Sequence, residues 1–330
     1  MSMIPRYHLV SIDRETWNEH WPKVRQAPLL QSWEYGEVKS QTQHFRTQRF
    51  LLLNETEEAV GLLQALVYSL PVIGGVAYIN RGPVFLSDFM HISLSRECVR
   101  GIMTAIGEIA KRQRWHLLRI VPNLLNDEEL TPILTELGFR KRDRFPVSSG
   151  VIDLSRSVEQ IRAGFHQKWR YNLTRSEKMG LELEIPSPSS ALPFLINEYK
   201  KMQRDKNFKG LATSLIKAIV SQQGGPTWNC RILYALHKGI RHGAVMVVGH
   251  GDTCTYLIAW TSDEGRRLQA NYFLIWKAML LFRDFGYTFF DVAGLGGNTT
   301  AGVERFKKGL KGQEYSLLGE FFYSVIPILH

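Results

Sequence analysis

The order of local patterns along this chain repeats once, and that repetition narrows its fold more than any other feature. In the first half Trp17–Lys39 reads as mixed helical, and Thr47–Leu53, Val60–Tyr68 and Val76–Ile79 read as successive strands separated by turn residues. A long helix follows from about Ser95 to Trp115, where Ile102, Ala105, Ile106, Ile109 and Ala110 recur at helical spacing with Arg and Lys on the other face. His116–Val121 is a buried strand, and Asp127–Leu137 a second helix stopped by Gly138. The second half opens on a basic helix, Val158–Met179, then a short strand at Leu181–Ile185, a linker-like turn at Pro186–Ser189 and a helix from Ala191 to Lys206. Arg231–His237, Gly243–His250 and Thr255–Trp260 then form a three-strand antiparallel run. Ala270–Phe285 is the covering helix, Gly286 ends it, and Tyr287–Val292 is the next strand.

Both halves thus run through hairpin strands, a long helix, Leu137-Gly138-Phe139 or Phe285-Gly286-Tyr287, and a strand. That order matches the core of the GNAT acyltransferase fold, in which a mixed sheet splays open and a substrate lies in the gap. The expected class is α/β (α+β), with two tandem GNAT-like domains built on mixed central sheets. A length of 330 residues fits two domains. The boundary is expected near Ser148–Asp153, giving a first domain over 1–150 and a second over 151–312.

The formal charge of +10 is unevenly spread: +2 over residues 1–150 and +8 over 151–330. An excess on one half suggests an anionic partner such as nucleic acid, a phosphorylated ligand or an acidic membrane. Cys98, Cys230 and Cys254 are far apart and outside any CxxC pattern, which fits buried thiols in a reducing cytosol and no disulfide frame or zinc site. His237, His242 and His250 lack metal-ligand spacing. The start MSMIPRYHLV lacks the order of a signal peptide. The one long apolar stretch, Ala59–Ile79, is divided by Gln64, Pro71 and Gly74-Gly75, and so reads as two strands and a turn in place of a membrane span.

Chemistry concentrates near the end, in Tyr287–Gly312. An apolar run stops at Asp291, glycines follow at 294, 296, 297 and 302, and an aromatic-basic pair, Phe306 and Lys307, precedes Gly309 and Gly312. Such a loop lets a ligand approach the main chain beside a cation. It reads equally as a strand-to-helix turn with a surface lysine. Asp291 suits a general base by position, or a cap of the turn through backbone N–H bonds.

Taken together, the motifs resemble the FemABX family of tRNA-dependent aminoacyltransferases that extend the stem peptide of peptidoglycan precursors. The likeness is carried by Gln31-Ser32-Trp33 leading to Lys39, Arg81-Gly82-Pro83, Lys168-Trp169-Arg170-Tyr171-Asn172-Leu173 with Arg175, Tyr256-Leu257-Ile258-Ala259-Trp260, Ala270-Asn271 leading to Trp276, and Phe290-Asp291 through Gly312. The compact form of the family is the nearer match, because no heptad-rich helical insertion occurs. The resemblance implies that the C-terminal strand, within 313–330, rejoins the first domain, which would hold the acceptor while the second meets aminoacyl-tRNA.

The resemblance further implies that Lys39 and Arg204 hold the diphosphate of a nucleotide-linked muramyl peptide, with Phe208 and Tyr256 contacting substrate. Lys307 is implied at the aminoacyl end of tRNA, with Phe306 stacking beside the terminal adenine or ribose. The implied reaction is attack of an amine on the aminoacyl ester, which needs no cofactor, no metal and no nucleophilic Ser or Cys. The implied partners are aminoacyl-tRNA and a nucleotide- or lipid-linked muramyl peptide. A monomer working in the cytoplasm is expected, with room for peripheral association with the inner membrane face. The basic helix carrying Arg162, Lys168, Arg170, Arg175 and Lys178 is a landing place for tRNA phosphates or an ordinary solvated face. The alternative function is a GNAT-type N-acyltransferase acting on a polysaccharide precursor or a small molecule. Against acyl-CoA, the R/Q-x-x-G-x-G/A pyrophosphate loop is absent at Arg119–Asn123 and Asp291–Gly297.

Overall fold

The computed structural model describes residues 4–70, 74–87, 94–142, 147–222, 225, 227–296 and 300–325. Pro71, read above as a turn residue, and Gly297 of the glycine loop lie outside them. The chain divides into two compact units, Met1–Val147 with Tyr315–His330, and Ser148–Glu314.

Unit 1 opens with β1 (Tyr7–Ser11), α1 (Arg14–His20), α2 (Trp33–Gln43), β2 (Arg46–Asn54), β3 (Ala59–Leu70), β4 (Gly74–Asn80) and the short β5 (Val84–Phe85). Next come α3 (Arg96–Arg112), β6 (Trp115–Val121), α4 (Leu130–Glu136) and β7 (Arg140–Arg142). Ser95 caps α3 through the Cys98 N–H, and the Val99, Ile102, Ile106 and Ala110 face of α3 is buried. The Gln31-Ser32-Trp33 run is fixed by buried polar bonds. The Gln31 Nε2 donates to the carbonyls of Gln64 (3.1 Å) and Asn80 (2.9 Å), and its Oε1 accepts from the Gln64 N–H (2.8 Å). Arg49 stacks 3.5 Å from the centre of the Trp33 ring and donates to Glu37 (2.7 Å) and Gln64 (2.9 Å).

Unit 2 runs through β8 (Ser148–Asp153), α5 (Val158–Gly164), α6 (Gln167–Glu177), β9 (Glu182–Glu184), α7 (Pro188–Asp205), α8 (Thr213–Ser221) and β10 (Asn229–His237). It continues with β11 (Ile240–His250), β12 (Thr253–Thr261), α9 (Asp263–Arg267), α10 (Ala270–Asp284), β13 (Phe289–Asp291), α11 (Ala301–Lys308) and β14 (Gln313–Ser316). The last strand, β15 (Glu320–Ser324), lies in the sheet of unit 1. The strand orders are β1-β2-β3-β4-β6-β15-β7, with β5 on β3, and β14-β8-β13-β12-β11-β10-β9. Read from opposite ends, the two orders match slot for slot. In each a long helix spans a parallel pair, α3 between β4 and β6, and α10 between β12 and β13.

Several local expectations change. The single helix over Val158–Met179 is two, because Phe165 turns extended (φ −66°, ψ 152°) and drops its ring into the core. His166 then caps α6 by accepting the Lys168 N–H at 3.2 Å. The expected turn at Pro186–Ser189 already starts α7: Ser187 caps it and Pro188 takes the first helical position, where no N–H is needed. The two glycine stops are chemically alike but not equivalent in place. Gly138 and Gly286 sit at φ 90° and 89°, each ending a helix with paired backbone bonds. Gly286 closes the crossover helix α10, whereas Gly138 closes the short α4 before β7.

β15 pairs with β6 on one side and β7 on the other, and its Phe321 is fully buried in the unit 1 core. Phe321→Ala is expected to cost about 3–5 kcal/mol. Amide exchange should quicken in β6 and β7 and stay unchanged in β12 and β13.

Candidate functional site

β12 and β13 touch only over Thr253–Thr255 and Phe289–Asp291. Beyond that point β12 runs on to Thr261 paired, among the described residues, with β11 alone. A bulge sets Leu257 out of register, Val247 facing Tyr256 and Met246 facing Ile258. The equivalent pair in unit 1, β4 and β6, stays in register from Val76 to Asn80 and against Leu117–Val121. Among the described residues the gap anticipated for both sheets therefore opens at this pair only in unit 2.

A cavity of about 590 Å³ occupies that gap. Its walls come from β12 at Tyr256–Thr261, the first turn of α10, the turn of α11 bearing Phe306 and Lys307, and the end of α7 with Phe208 beyond it. No carboxylate lines it among the described residues, whereas Lys206, Arg266 and Lys307 do.

Lys307 reaches the cavity because Val303, Phe306 and Lys307 share one face of α11. Its ammonium donates to the carbonyls of Ala293 (2.6 Å) and Gly294 (3.1 Å) and stands 5.6 Å from the centre of the Tyr256 ring. Three donors on Nζ and two carbonyls leave one N–H for a ligand. The Phe306 ring lies 4.9 Å from Tyr272 and 5.9 Å from Trp169, so it lines the cavity while packing on the core.

Those carbonyls are presented by Asp291. At the last paired position of β13, and 4% exposed, its Oδ1 accepts the Ser149 hydroxyl and the Ala293 N–H (2.7 Å). Ala293 is thereby held at φ 53°, a left-handed conformation uncommon without glycine, and the chain turns its carbonyls toward Lys307. Asp291 itself is not on the cavity wall.

The structure brings Tyr256, Phe208, Phe306 and Lys307 to one cavity. Burial holds the Tyr256 phenol well above its ordinary value. Arg204 is exposed on the last turn of α7 and does not line it, because Tyr199, Met202 and Lys206 take the cavity-facing spacing of that helix. Lys39 belongs to unit 1, where it bonds Gln43 and lies 5.3 Å from the centre of the Phe45 ring, its pKa lowered by burial. Sequence reasoning missed Lys206, Arg266 and Tyr272. The i, i+3, i+7 spacing of Tyr199, Met202 and Lys206 was available, but which face of α7 turns inward was not.

The strand-to-helix junction where a GNAT fold would seat a pyrophosphate is Ser262–Gln269, between β12 and α10, and not Arg119–Asn123 or Asp291–Gly297. It too lacks the R/Q-x-x-G-x-G/A order. Its glycine, Gly265, answers to packing, since a Cβ there would stand 2.0 Å from the His242 carbonyl.

Burial pushes the Lys307 ammonium from 10.5 down to about 8, with the Asp291 carboxylate opposing the shift. From pH 8 to 10.5 the unfolded chain therefore binds more protons than the folded one, and stability rises with pH across that window. Below it the cost of the buried charge is present in full. Lys307→Met is expected to remove this rise, as read from urea midpoints through the same window.

Residues 237–330 match the model of the FemAB family. No curated protein matches the chain. Among solved structures FemX is similar over 96% of this chain and 97% of its own, at 16% identity and a TM-score of 0.78. A tandem GNAT protein from the clavulanic acid biosynthesis pathway is similar over 98% and 100%, at 12% identity and a TM-score of 0.56. L-PGS from Bacillus licheniformis is similar over 99% and 96%, at 14% identity and a TM-score of 0.51. These likenesses establish a mixed α/β fold shared with tandem GNAT proteins. The matched family segment contains Tyr256, Asp291, Phe306 and Lys307, all carried by unit 2 of that fold.

Proposed function

We propose that this protein moves an amino acid from aminoacyl-tRNA to an amine of a peptidoglycan-precursor stem peptide, forming an interpeptide link. The amine nitrogen forms an amide bond with the aminoacyl carbon, the ester C–O bond breaks, and the ribose hydroxyl leaves with a proton while the amine gives one up. The net reaction needs no redox partner, and its barrier falls through positioning and stabilisation of the oxyanion.

One observation carries the proposal. Lys307 is held by two backbone carbonyls with a donor to spare, in a cavity walled by aromatic rings and lined by cations without carboxylates. A terminal adenosine has faces for Phe306 and Tyr256, and its phosphates suit Lys206 and Arg266 at the same cavity. Lys307 then meets the developing oxyanion. Asp291 acts as the cap that aims the carbonyls at Lys307, since its Oδ1 already accepts two hydrogen bonds. Lys39, in unit 1 and bonded to Gln43, is tied to the acceptor by the resemblance alone, while Arg204 is assigned to an acceptor phosphate. Arg204 supports this by making no side-chain hydrogen bond or ion pair with the described residues.

The acceptor is a nucleotide- or lipid-linked muramyl pentapeptide, handled in the cytoplasm or at the inner membrane face. Among the described residues no helix is long and apolar enough to cross a membrane. Free Cys98, Cys230 and Cys254 accord with a reducing compartment.

The deciding assay incubates the protein with mixed radiolabelled aminoacyl-tRNAs and both muramyl pentapeptides, and identifies product by mass. The pentapeptide is expected to gain one residue. Lys307→Met should lower kcat/KM by about 10²–10³-fold. The wild-type basic limb should fall near pH 8, as the ammonium loses its proton. Absence of transfer from any aminoacyl-tRNA, with transfer from an acyl-CoA, would overturn the reading in favour of an ordinary N-acyltransferase.

A further inference from the structure

The basic segment ahead of β9 separates into charges already used and charges left over. Arg162 donates to Glu177 (2.7 and 2.8 Å) and Thr174 (3.1 Å). Arg170 donates to the carbonyls of Ala163 (2.8 Å) and Phe165, closing the end of α5. The side chains of Lys168, Arg175 and Lys178 make no hydrogen bond or ion pair with the described residues.

These three and Tyr171 fall at i, i+3, i+7 and i+10, one line along α6 and its C-cap, about 15 Å long. The line runs opposite the buried face of Trp169, Leu173 and Ser176. Tyr171 is 65% exposed within it. An outward aromatic ring set among uncommitted cations matches what single-stranded nucleic acid requires, a base to stack and phosphates to neutralise. A membrane surface fits less well. A helix that lies in lipid turns an apolar face outward, and the apolar face of α6 is spent on the core.

The line is also joined to the cavity. On the inner side of α6 the Trp169 ring lies 5.0 Å from Tyr272 and 5.9 Å from Phe306, both cavity residues. The His166 N–H donates to the Gly309 carbonyl at 2.9 Å, and a Cβ on Gly309 would stand 2.8 Å from the Trp169 ring. α6 is therefore packed directly against the segment that carries Lys307.

We propose that Lys168, Tyr171, Arg175 and Lys178 bind the unpaired nucleotides leading to the 3′ end of tRNA, Tyr171 stacking on a base while the three cations meet phosphates. This rests on the aminoacyl-tRNA reading of the cavity and adds the path by which the strand arrives.

The test is fluorescence anisotropy with an uncharged RNA hairpin bearing a short unpaired 3′ tail, and the same hairpin blunt-ended. The wild type should prefer the tailed RNA. Tyr171→Ala should weaken binding to it roughly 5- to 150-fold while leaving blunt-hairpin binding unchanged, and Tyr171→Phe should restore it. Lys168→Glu with Arg175→Glu should flatten the slope of log K against log salt by about 1.4 or more. Equal tailed-RNA affinity of Tyr171→Ala and wild type would overturn the proposal, as would a loss of phosphatidylglycerol-vesicle binding with RNA binding intact. If the wild type makes product and Tyr171→Ala keeps the same KM for charged tRNA, this surface fails alone. If the wild type neither binds RNA nor makes product, the reading of the cavity fails with it.

Discussion

The parting of β12 from β13 is the constraint on which the site depends. Three paired positions hold these strands together, and from Tyr256 onward β12 has, among the described residues, a strand neighbour on one edge only. Backbone donors and acceptors on the free edge must find water or ligand, because an unpaired buried amide is costly. The bulge at Leu257 increases the local twist and re-aims the residues after it, which is how Tyr256 and Thr261 come to wall one cavity. Pairing that continued to the end of β12 would close the cavity, whatever side chains stood there.

Asp291 converts that parting into an electrostatic site. It occupies the last paired position, and a residue there can reach both the neighbouring β8 and the chain that leaves the sheet. Its bond to Ser149 ties the turn to β8, and its bond to the Ala293 N–H stabilises a backbone conformation that alanine otherwise avoids. The carbonyls so turned hold an ammonium that burial alone would discharge more readily. Lys307 thus remains cationic at neutral pH in a partly dry site, where a charge acts more strongly than in water. The dependence runs one way, from strand end to carboxylate to backbone to ammonium.

The long periodic elements were legible in the sequence. α3 and α10 were read to within a few residues, as were β2, β3, β10, β11 and β12, because each carries enough turns or alternations to fix its type. β1, α8, α9 and α11 were not read, and three of them are too short or too polar for periodicity to speak. α8 is the exception: its nine residues bury Leu215, Ile216 and Ile219 at helical spacing, but a short apolar run of this length reads equally as a buried strand. At the site, Phe306 and Lys307 stood out by residue type beside glycines. Lys206 and Arg266 did not, since a cation on a helix looks the same in sequence whether it faces solvent or a cavity. The equivalence of the two helix-ending glycines was misread for a related reason: residue pattern reports how a helix stops, not which strand it then feeds.

The matching strand orders show why the halves cannot be understood separately. β8 follows β7 in the chain yet lies between β13 and β14, and β15 follows β14 yet lies between β6 and β7. In each sheet the strand beside the edge strand β14 or β7 follows, in the chain, the edge strand of the other sheet: β8 follows β7, and β15 follows β14. Without β15 the unit 1 sheet would end at an unpaired β6 edge and β7 would lose its strand partner, so Glu320–Ser324 completes the sheet of the first unit. Within this shared plan, the length of a single parallel pairing separates the units. β4 and β6 remain zipped to Asn80, and β12 and β13 part at Thr255. One plan therefore yields a closed sheet at that pair in unit 1 and an open one in unit 2, which also holds most of the excess positive charge. In this chain strand register, more than any single residue, decides at which of these two pairs a ligand can enter.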